Sequence, residues 1–416
     1  MKTVSIKTFG CRLNQAESEQ IISGFEQAGY CYVPDTRNAD ICIIHTCTVT
    51  GTAESKCLQE ARRIRRTRPA ALIVLAGCAV ENNRKLLEHS GADMQVGQQD
   101  KFRIHELVKD SLPQHFPADE SPSQTSTRRR SRALLKIQTG CNFRCAYCIV
   151  PDVRGNPQSR DAATVLTEAE QMIASGFREI VVTGVNIGLY HSAGGGLVEL
   201  LKQLAALPGI GRLRISSLEM TTVEYDLIEL IARTPAICKF LHCPLQSGSD
   251  SILKAMGRRY TADEFSNFIR RAAALIPGIG LGTDIICGYP GENDDDYRKT
   301  CELVETLPFS NLHVFPFSPR PGTPAAAIHQ ESVPEKVIRQ RCANLIALGN
   351  RKRNSFIGSF ANSPVEILVE KVKNGMGRGW TAEYIKAGVC CRNDERGKLI
   401  RAIAGKTDGD TLLCRR

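Results

Sequence analysis

The sequence predicts an α/β protein in three units: an N-terminal parallel α/β domain (1–110), a central partial (β/α)6 barrel (133–355) and a small C-terminal β-barrel (356–416). Three observations predict it. Apolar, β-branched runs alternate with helical stretches as far as about Arg353, the pattern of parallel strands joined by helices. The segment 111–132 (SLPQHFPADESPSQTSTRRRSR) is rich in Pro, Ser and charge and lacks apolar periodicity, as a linker does. From Phe356 the alternation gives way to short strand-like runs between Gly-containing turns, the habit of a small barrel.

The first hundred residues repeat one unit three times. Val4 to Phe9 leads to Cys11 and a helix near Gln15 to Ala28; Ile41 to His45 leads to Cys47 and a helix near Ala53 to Arg66; Leu72 to Ala76 leads to Cys78 and a helix near Glu81 to Glu88. In an open parallel sheet the carboxyl ends of the strands share one edge, where ligands bind. Topology therefore predicts that Cys11, Cys47 and Cys78, far apart in sequence, converge in space.

In the second unit the expected strands are Ala133 to Gln138, Ile180 to Gly184, Arg212 to Ser217, Lys239 to Pro244, Leu281 to Cys287 and Asn311 to Pro316. Six strand–helix repeats suggest a partial or full parallel barrel. In the tail, Val365 to Glu370, Gly379 to Ile385 and Lys398 to Ala404 read as strands.

Length and composition bound the function. The chain has 416 residues, 42% hydrophobic and 24% charged, which is ordinary globular composition and excludes disorder and fibrous classes. No run approaches the ~18 apolar residues of a membrane span, and MKTVSIKTFG lacks the form of an export signal; a cytoplasmic protein that binds no membrane is expected. Seventeen cysteines in a reducing compartment point to metal or redox chemistry rather than disulfides. A net charge of +10 favours a polyanionic partner.

The densest chemical signal is the CxxxCxxC of TGCNFRCAYCIVP, formed by Cys141, Cys145 and Cys148 directly after the first strand of the second unit. Three thiolates in one short loop can hold three irons of an iron–sulfur cube and leave the fourth open to a ligand. A zinc knuckle needs a fourth nearby Cys or His, and none lies close in sequence. The other cysteines (Cys31, Cys42, Cys57, Cys238, Cys243, Cys287, Cys301, Cys342, Cys390, Cys391 and Cys414) show no ligand spacing and read as core or incidental.

This motif, with Tyr147 before its last cysteine, resembles the radical S-adenosylmethionine superfamily. TFGCRLNQAES, HTCTVTGTAESKC and LAGCAV resemble the N-terminal domain of the methylthiotransferase family; VVTGVNIG, RISSLE, HCPLQSGSD, MGRRY, TDIICGYPGE and HVFPFSPRPGTPA resemble its barrel. ILVEKVKNGMGRGWTAEYIKAGV resembles the TRAM domain, an RNA-binding barrel. One departure is Asp152 after Pro151, where the family usually has an aromatic.

The resemblance implies two 4Fe–4S clusters, one on Cys141, Cys145 and Cys148 and one on Cys11, Cys47 and Cys78, with S-adenosylmethionine as co-substrate. It makes Tyr147 a cofactor-binding residue, places Thr183 and Gly184 near the cofactor amine, and puts Ser217, Glu219, Gln246 and Ser247 around its carboxylate and ribose. It places Ile286 and Gly288 beside its adenine. One cofactor molecule would methylate a sulfur held at the N-terminal cluster, and a second would give a radical that takes hydrogen from adenine C2.

Family members act on isopentenylated adenosine in tRNA, on threonylcarbamoylated adenosine in tRNA, or on a ribosomal-protein aspartate. Arg12 and Leu13 after Cys11 resemble the threonylcarbamoyl group, so the expected product is the 2-methylthio derivative of N(6)-threonylcarbamoyladenosine at tRNA position 37. Expected partners are that tRNA and an electron donor, either a reductase or a flavodoxin- or ferredoxin-type protein, acting on a monomer. A rival from another class is a non-catalytic, metal-containing RNA-binding protein. For RNA contact the candidates are Arg62, Arg63, Arg65, Arg66 and Arg68, then Arg128, Arg129, Arg130 and Arg132, and the aromatic residues Trp380 and Tyr384, with Trp380 expected chiefly in the core.

Overall fold

Strand β3 (Ile41–Thr46) is buried at every position, as an interior strand of a two-sided parallel sheet must be. It organises the first sheet of a computed structural model that describes residues 2–83, 85, 88–109, 130–223, 225–328 and 332–416. Its neighbours are β1 (Thr3–Thr8), β2 (Cys31–Tyr32), β4 (Leu72–Gly77) and β5 (Met94–Val96), in the order β2-β1-β3-β4-β5, all parallel. The register pairs Thr8 with His45 and Thr46 with Gly77, so these strands end level with one another.

The helices of this domain begin earlier than their apolar periodicity suggests. Helix α1 covers Arg12–Gln27 and buries Leu13, Ile21, Ile22 and Phe25, with Cys11 at its N-cap. Helix α2 covers Gly51–Thr67 and is capped by the Thr50 hydroxyl, which accepts from Ala53 N at 3.2 Å. Helix α3 covers Cys78–Asn82, so strand β4 passes straight into it; the expected helix at 81–88 lies partly outside the described residues.

The central unit carries β6 (Ala133–Lys136), β9 (Glu179–Thr183), β12 (Arg212–Ile215), β13 (Phe240–His242), β14 (Gly280–Cys287) and β15 (Asn311–Pro316). Short antiparallel pairs decorate it: β7 (Gln138–Thr139) with β8 (Gln158–Ser159), and β10 (His191–Ser192) with β11 (Gly195–Gly196). The six long strands form two parallel triplets, β6-β9-β12 and β13-β14-β15, joined by a parallel bridge from Leu213 to Ile237. No ladder joins β6 to β15 among the described residues, so the barrel is partial. The expected strand to Gln138 breaks at Lys136, because the Gln138 amide accepts from Val185 N and Asn186 N (3.1 Å each) and turns the chain toward β8.

After the helix Glu335–Gly358 the tail forms a closed five-stranded barrel: β16 (Pro364–Lys373), β17 (Met376–Thr381), β18 (Lys386–Cys390), β19 (Leu399–Asp408) and β20 (Thr411–Arg415), in the order β16-β17-β18-β20-β19. The strand expected at Gly379–Ile385 ends instead at Thr381. Tyr384 has a φ of +66°, a left-handed conformation that no strand accommodates, and it turns the chain into β18.

Two buried carboxylates tie the units together. Glu179 on β9 pairs with Arg214 (2.8 Å) and Arg212 (2.7 Å) on β12. The same guanidinium groups donate to the carbonyls of Glu366, Trp380, Thr381 and Ala382 in the C-terminal barrel, at 2.9–3.1 Å. Glu17 on α1 is shared by Lys101 (2.7 Å), Lys136 (3.0 Å) and Arg154 (3.0 Å), the last two belonging to the central unit.

Burial alone would raise the Glu179 carboxyl, yet Arg214 and Arg212 hold it at about 2 against an ordinary 4.5. A depressed acid stabilises the folded state above its unfolded pKa, and that contribution is lost as pH falls toward the folded one. The pair should therefore keep its full effect down to about pH 4.5 and lose it between there and pH 2. Glu179→Gln should cost about 3–5 kcal/mol at neutral pH, the usual cost of breaking a buried pair, and should flatten this acid limb in urea unfolding measured across pH. An unchanged limb would show that the pair carries no such linkage.

Candidate functional site: two thiol trios and the cavity beside them

The level strand ends bring Cys11, Cys47 and Cys78 to one wall of a cavity of about 640 Å3. Backbone geometry makes this approach possible. Gly10 has a φ of +101°, and a side chain there would meet the Cys47 sulfur at 2.8 Å; Gly77, at +104°, lies as close to the His45 ring. Only glycine fits both demands. Cys47 is buried, and burial pushes its thiol up to about 12.

The second trio sits on a loop pinned by main-chain bonds. Cys141 N donates to Gly155 O (3.0 Å), Ala146 N to Met256 O (2.9 Å) and Ala325 N to Ala146 O (2.9 Å). Burial pushes the Cys148 thiol up to about 12. Thiols in such surroundings become ligands when positive charge offsets their desolvation, and the protein brings an arginine to each trio.

Arg154, at the end of the helix Val150–Arg154, donates to Cys78 Sγ (3.3 Å), Asn14 Oδ1 (2.6 Å) and both oxygens of Glu17 (3.1 and 3.0 Å). It couples the loop of one trio to the thiols of the other. Arg258 points Nη1 at Cys145 Sγ and Tyr147 Oη, 3.4 Å from each; it donates to Tyr260 Oη at 3.0 Å and pairs with Glu219.

The donor sets fit iron–sulfur cubes. Among the described residues, the one trio of possible ligands whose atoms all close within 4.8 Å is His242, Asp284 and His313. Neither thiol trio draws together that tightly. A single zinc, with bonds of about 2.3 Å to sulfur, needs tighter spacing; a cube that takes each thiolate on a different iron does not.

The expected cofactor residues fall into three groups. Thr183, Gly184 and Ser217 line the central cavity together with Cys11, Cys47 and Cys78. Tyr147 and Ile286 share an apolar shell with Ile252, Met256 and Tyr289, while Glu219 reaches the loop through Arg258. Gln246, Ser247 and Gly288 sit where strands turn toward helices. Gln246 has a φ of +70° and bonds through its backbone to Asp284 and Ile286; the Ser247 hydroxyl accepts from Ser249 N (3.2 Å) and lies 3.4 Å from Thr300 Oγ1; Gly288 N donates to Glu292 (3.1 Å).

Several site residues carry no local motif. Arg154 and Arg258 make contacts far away in sequence, which no spacing rule reveals. On the cavity wall Asp284 Oδ1 lies 2.9 Å from His242 Nε2 and 3.1 Å from His313 Nδ1. A signal for this pair existed, since Asp284 and His313 are register partners on β14 and β15. Asp152, the departure noted above, pairs with Arg144 at 3.0 Å on the surface.

One aromatic residue of the tail faces the site. Tyr384 lines the cavity, stacks on Trp380 with centroids 4.5 Å apart, lies 4.7 Å from Phe240 and accepts from Arg12 Nη2 at 2.7 Å. Trp380 is half-buried, donates to Glu370 Oε2 (3.1 Å) and stands outside the barrel's core cluster; its partner at the interface, not the core, holds it. Of the basic clusters, Arg63, Arg65 and Arg68 pair with Glu60, Asp93 and Asp40, and Arg130 and Arg132 with Glu19 and Glu370. Arg62 and Arg66 line a shallow groove with His89, and Arg128 and Arg129 lie outside the described residues.

The family described as the radical SAM superfamily matches residues 135–304, and the one described as uncharacterized protein family UPF0004 matches 3–97. The chain is 34% identical to threonylcarbamoyladenosine tRNA methylthiotransferase MtaB of Bacillus subtilis (strain 168), over 96% of this chain and 93% of that one. It is 35% identical to the protein of the same name from Thermotoga maritima, over 93% and 91%. It is 31% identical to tRNA-2-methylthio-N(6)-dimethylallyladenosine synthase of Endomicrobium trichonymphae, over 95% of each. Among solved structures, the radical S-adenosylmethionine methyltransferase TsrM of Kitasatospora setae superposes with a TM-score of 0.58 at 15% identity, over 78% of this chain and 77% of that one, which shows a shared fold.

Positive charge and hydrogen bonds at cluster sulfurs raise reduction potential. Removing the Arg258 cation beside Cys145 should therefore make the cluster on that loop harder to reduce. Arg258→Met should shift its midpoint to more negative values in an EPR-monitored redox titration, and Arg258→Lys should recover part of the shift; equal midpoints for all three proteins would exclude the role.

Proposed function

The chain belongs to the radical SAM methylthiotransferase family, and on that premise we propose that it converts N(6)-threonylcarbamoyladenosine at tRNA position 37 to its 2-methylthio derivative. One observation carries the reading. The strand ends of the central barrel, with Thr183 and Gly184, and the thiols of Cys11, Cys47 and Cys78 open onto the same cavity. A radical generated on the barrel and a sulfur held by the N-terminal domain would meet there. The curated relatives named for the threonylcarbamoyl substrate match this chain nearly end to end, which favours that substrate over the isopentenyl one.

When bound, the two 4Fe–4S clusters and S-adenosylmethionine supply one-electron cleavage of the cofactor at one trio and the methylthio sulfur at the other. The protein's own part is positioning, charge and exclusion of water. Arg258 sets a cation beside Cys145 and keeps Glu219 in place. Arg154 holds the loop of Cys141, Cys145 and Cys148 to α1 and to Cys78. Phe240, Phe315 and Tyr384 give the cavity apolar walls, which shelter a carbon radical from solvent.

The rest of the proposal follows from this chemistry. Both trios come from one chain, so a monomer has a complete site. Cleavage consumes an electron, which a flavodoxin- or ferredoxin-type reductase would deliver. A tRNA substrate and ligands that must stay reduced support a cytoplasmic location; among the described residues no helix is long and apolar enough to cross a membrane.

In tRNA from a strain lacking the gene, and lacking any paralogue, mass spectrometry should find threonylcarbamoyladenosine without its 2-methylthio derivative. Persistence of the derivative rejects the substrate, and loss of a 2-methylthio isopentenyl nucleoside instead would assign the other one. Anaerobically reconstituted protein should release 5'-deoxyadenosine on reduction, and replacing Cys141, Cys145 and Cys148 by Ser should abolish that release. Release by the triple variant would remove the barrel loop from the chemistry.

A further inference from the structure

One cation on the cavity wall has no carboxylate partner among the described residues. Arg154 faces Glu17. Asp284, the only carboxylate lining the cavity among the described residues, is taken up by His242 and His313. Arg12 lines the same cavity and forms no ion pair with a carboxylate among the described residues; it donates only to the Tyr384 phenol, at 2.7 Å, with its guanidinium 5.3 Å from that ring's centre. Arg12 also edges a shallower groove, whose one carboxylate, Glu370, is held by Arg132 and the Trp380 indole. A half-buried guanidinium with donors to spare is a receptor for a planar anion.

Resting on the function proposed above, we infer that Arg12, braced by Tyr384, is the subsite for the free carboxylate of the amino-acid group on the substrate adenosine. The substrate's chemistry brings that group to this wall. Its urea N–H can close a ring onto adenine N1, the neighbour of C2, so the carboxylate lies beside the reacting carbon. Arg12 directly follows Cys11, a thiol of the sulfur-holding trio. The residue that reads the carboxylate and the residue that holds the sulfur source are thus consecutive at the start of α1. An isopentenyl group has no charge to offer at this point, so Arg12 would discriminate by leaving a cation unpaired.

The test uses the reconstituted full-length enzyme with tRNA bearing threonylcarbamoyladenosine and with the same tRNA after methyl esterification of its carboxylate. Formation of the 2-methylthio nucleoside is followed by mass spectrometry, and the iron content of every variant is checked. A charge-assisted hydrogen bond predicts that the wild type prefers acid to ester by roughly 10- to 100-fold in kcat/KM. Arg12→Gln should lose about that factor on the acid, and its preference should collapse toward one; Arg12→Lys should restore part of it. An acid preference that survives Arg12→Gln, or equal losses on acid and ester, overturns the subsite, the second outcome marking a phosphate contact or a structural role. Failure of the wild type to modify either tRNA while still releasing 5'-deoxyadenosine overturns the functional reading, and the subsite with it.

Discussion

Glu17 is the point on which the arrangement of the two thiol trios depends. Its carboxylate is fully buried on α1 and is shared among Lys101 of its own domain and Lys136 and Arg154 of the barrel. Burial alone would drive it toward neutrality, but Arg154 and Lys101 hold it ionised, well below the usual carboxylate range. Isolated buried charge is costly, and a network with every member satisfied is not. Because Arg154 also contacts Cys78 and Asn14, the electrostatics that join the domains also fix the wall of Cys11, Cys47 and Cys78 relative to the loop of Cys141, Cys145 and Cys148.

A second strut works in parallel. Arg320, beyond the last barrel strand, is buried with Glu54 on α2 and donates to Thr48 Oγ1 at 3.1 Å, while Gly51 N donates to Ser318 Oγ at 3.1 Å. The N-terminal domain is thus held from both ends of the barrel's sequence, from β6 and from the segment after β15. On the function proposed above, that fixed placement would hold the two thiol-bearing units in register for the transfer.

The architecture was legible in the sequence where local pattern reports topology. Alternating strands and helices forced Cys11, Cys47 and Cys78 to one sheet edge, and the register of Thr8, His45, Thr46 and Gly77 places them there. What escaped was made by long-range pairing. Arg154 and Arg258 acquire meaning only from Glu17, Cys78, Glu219 and Cys145, up to 137 residues away. The strand expected at Gly379–Ile385 failed because β-propensity does not reveal that Tyr384 adopts a positive φ. Arg130 and Arg132, candidates for RNA contact, pair with Glu19 and Glu370, partners that a run of like charge in sequence does not reveal.

Tyr384 gives the tail barrel a second office. It projects from the turn after β17 into the chamber, between Phe240 of the central unit and Arg12 of the first. The tail barrel thereby furnishes part of the chamber's lining. Replacing the tail barrel would therefore remodel the chamber as well, since it would withdraw the phenol to which Arg12 donates.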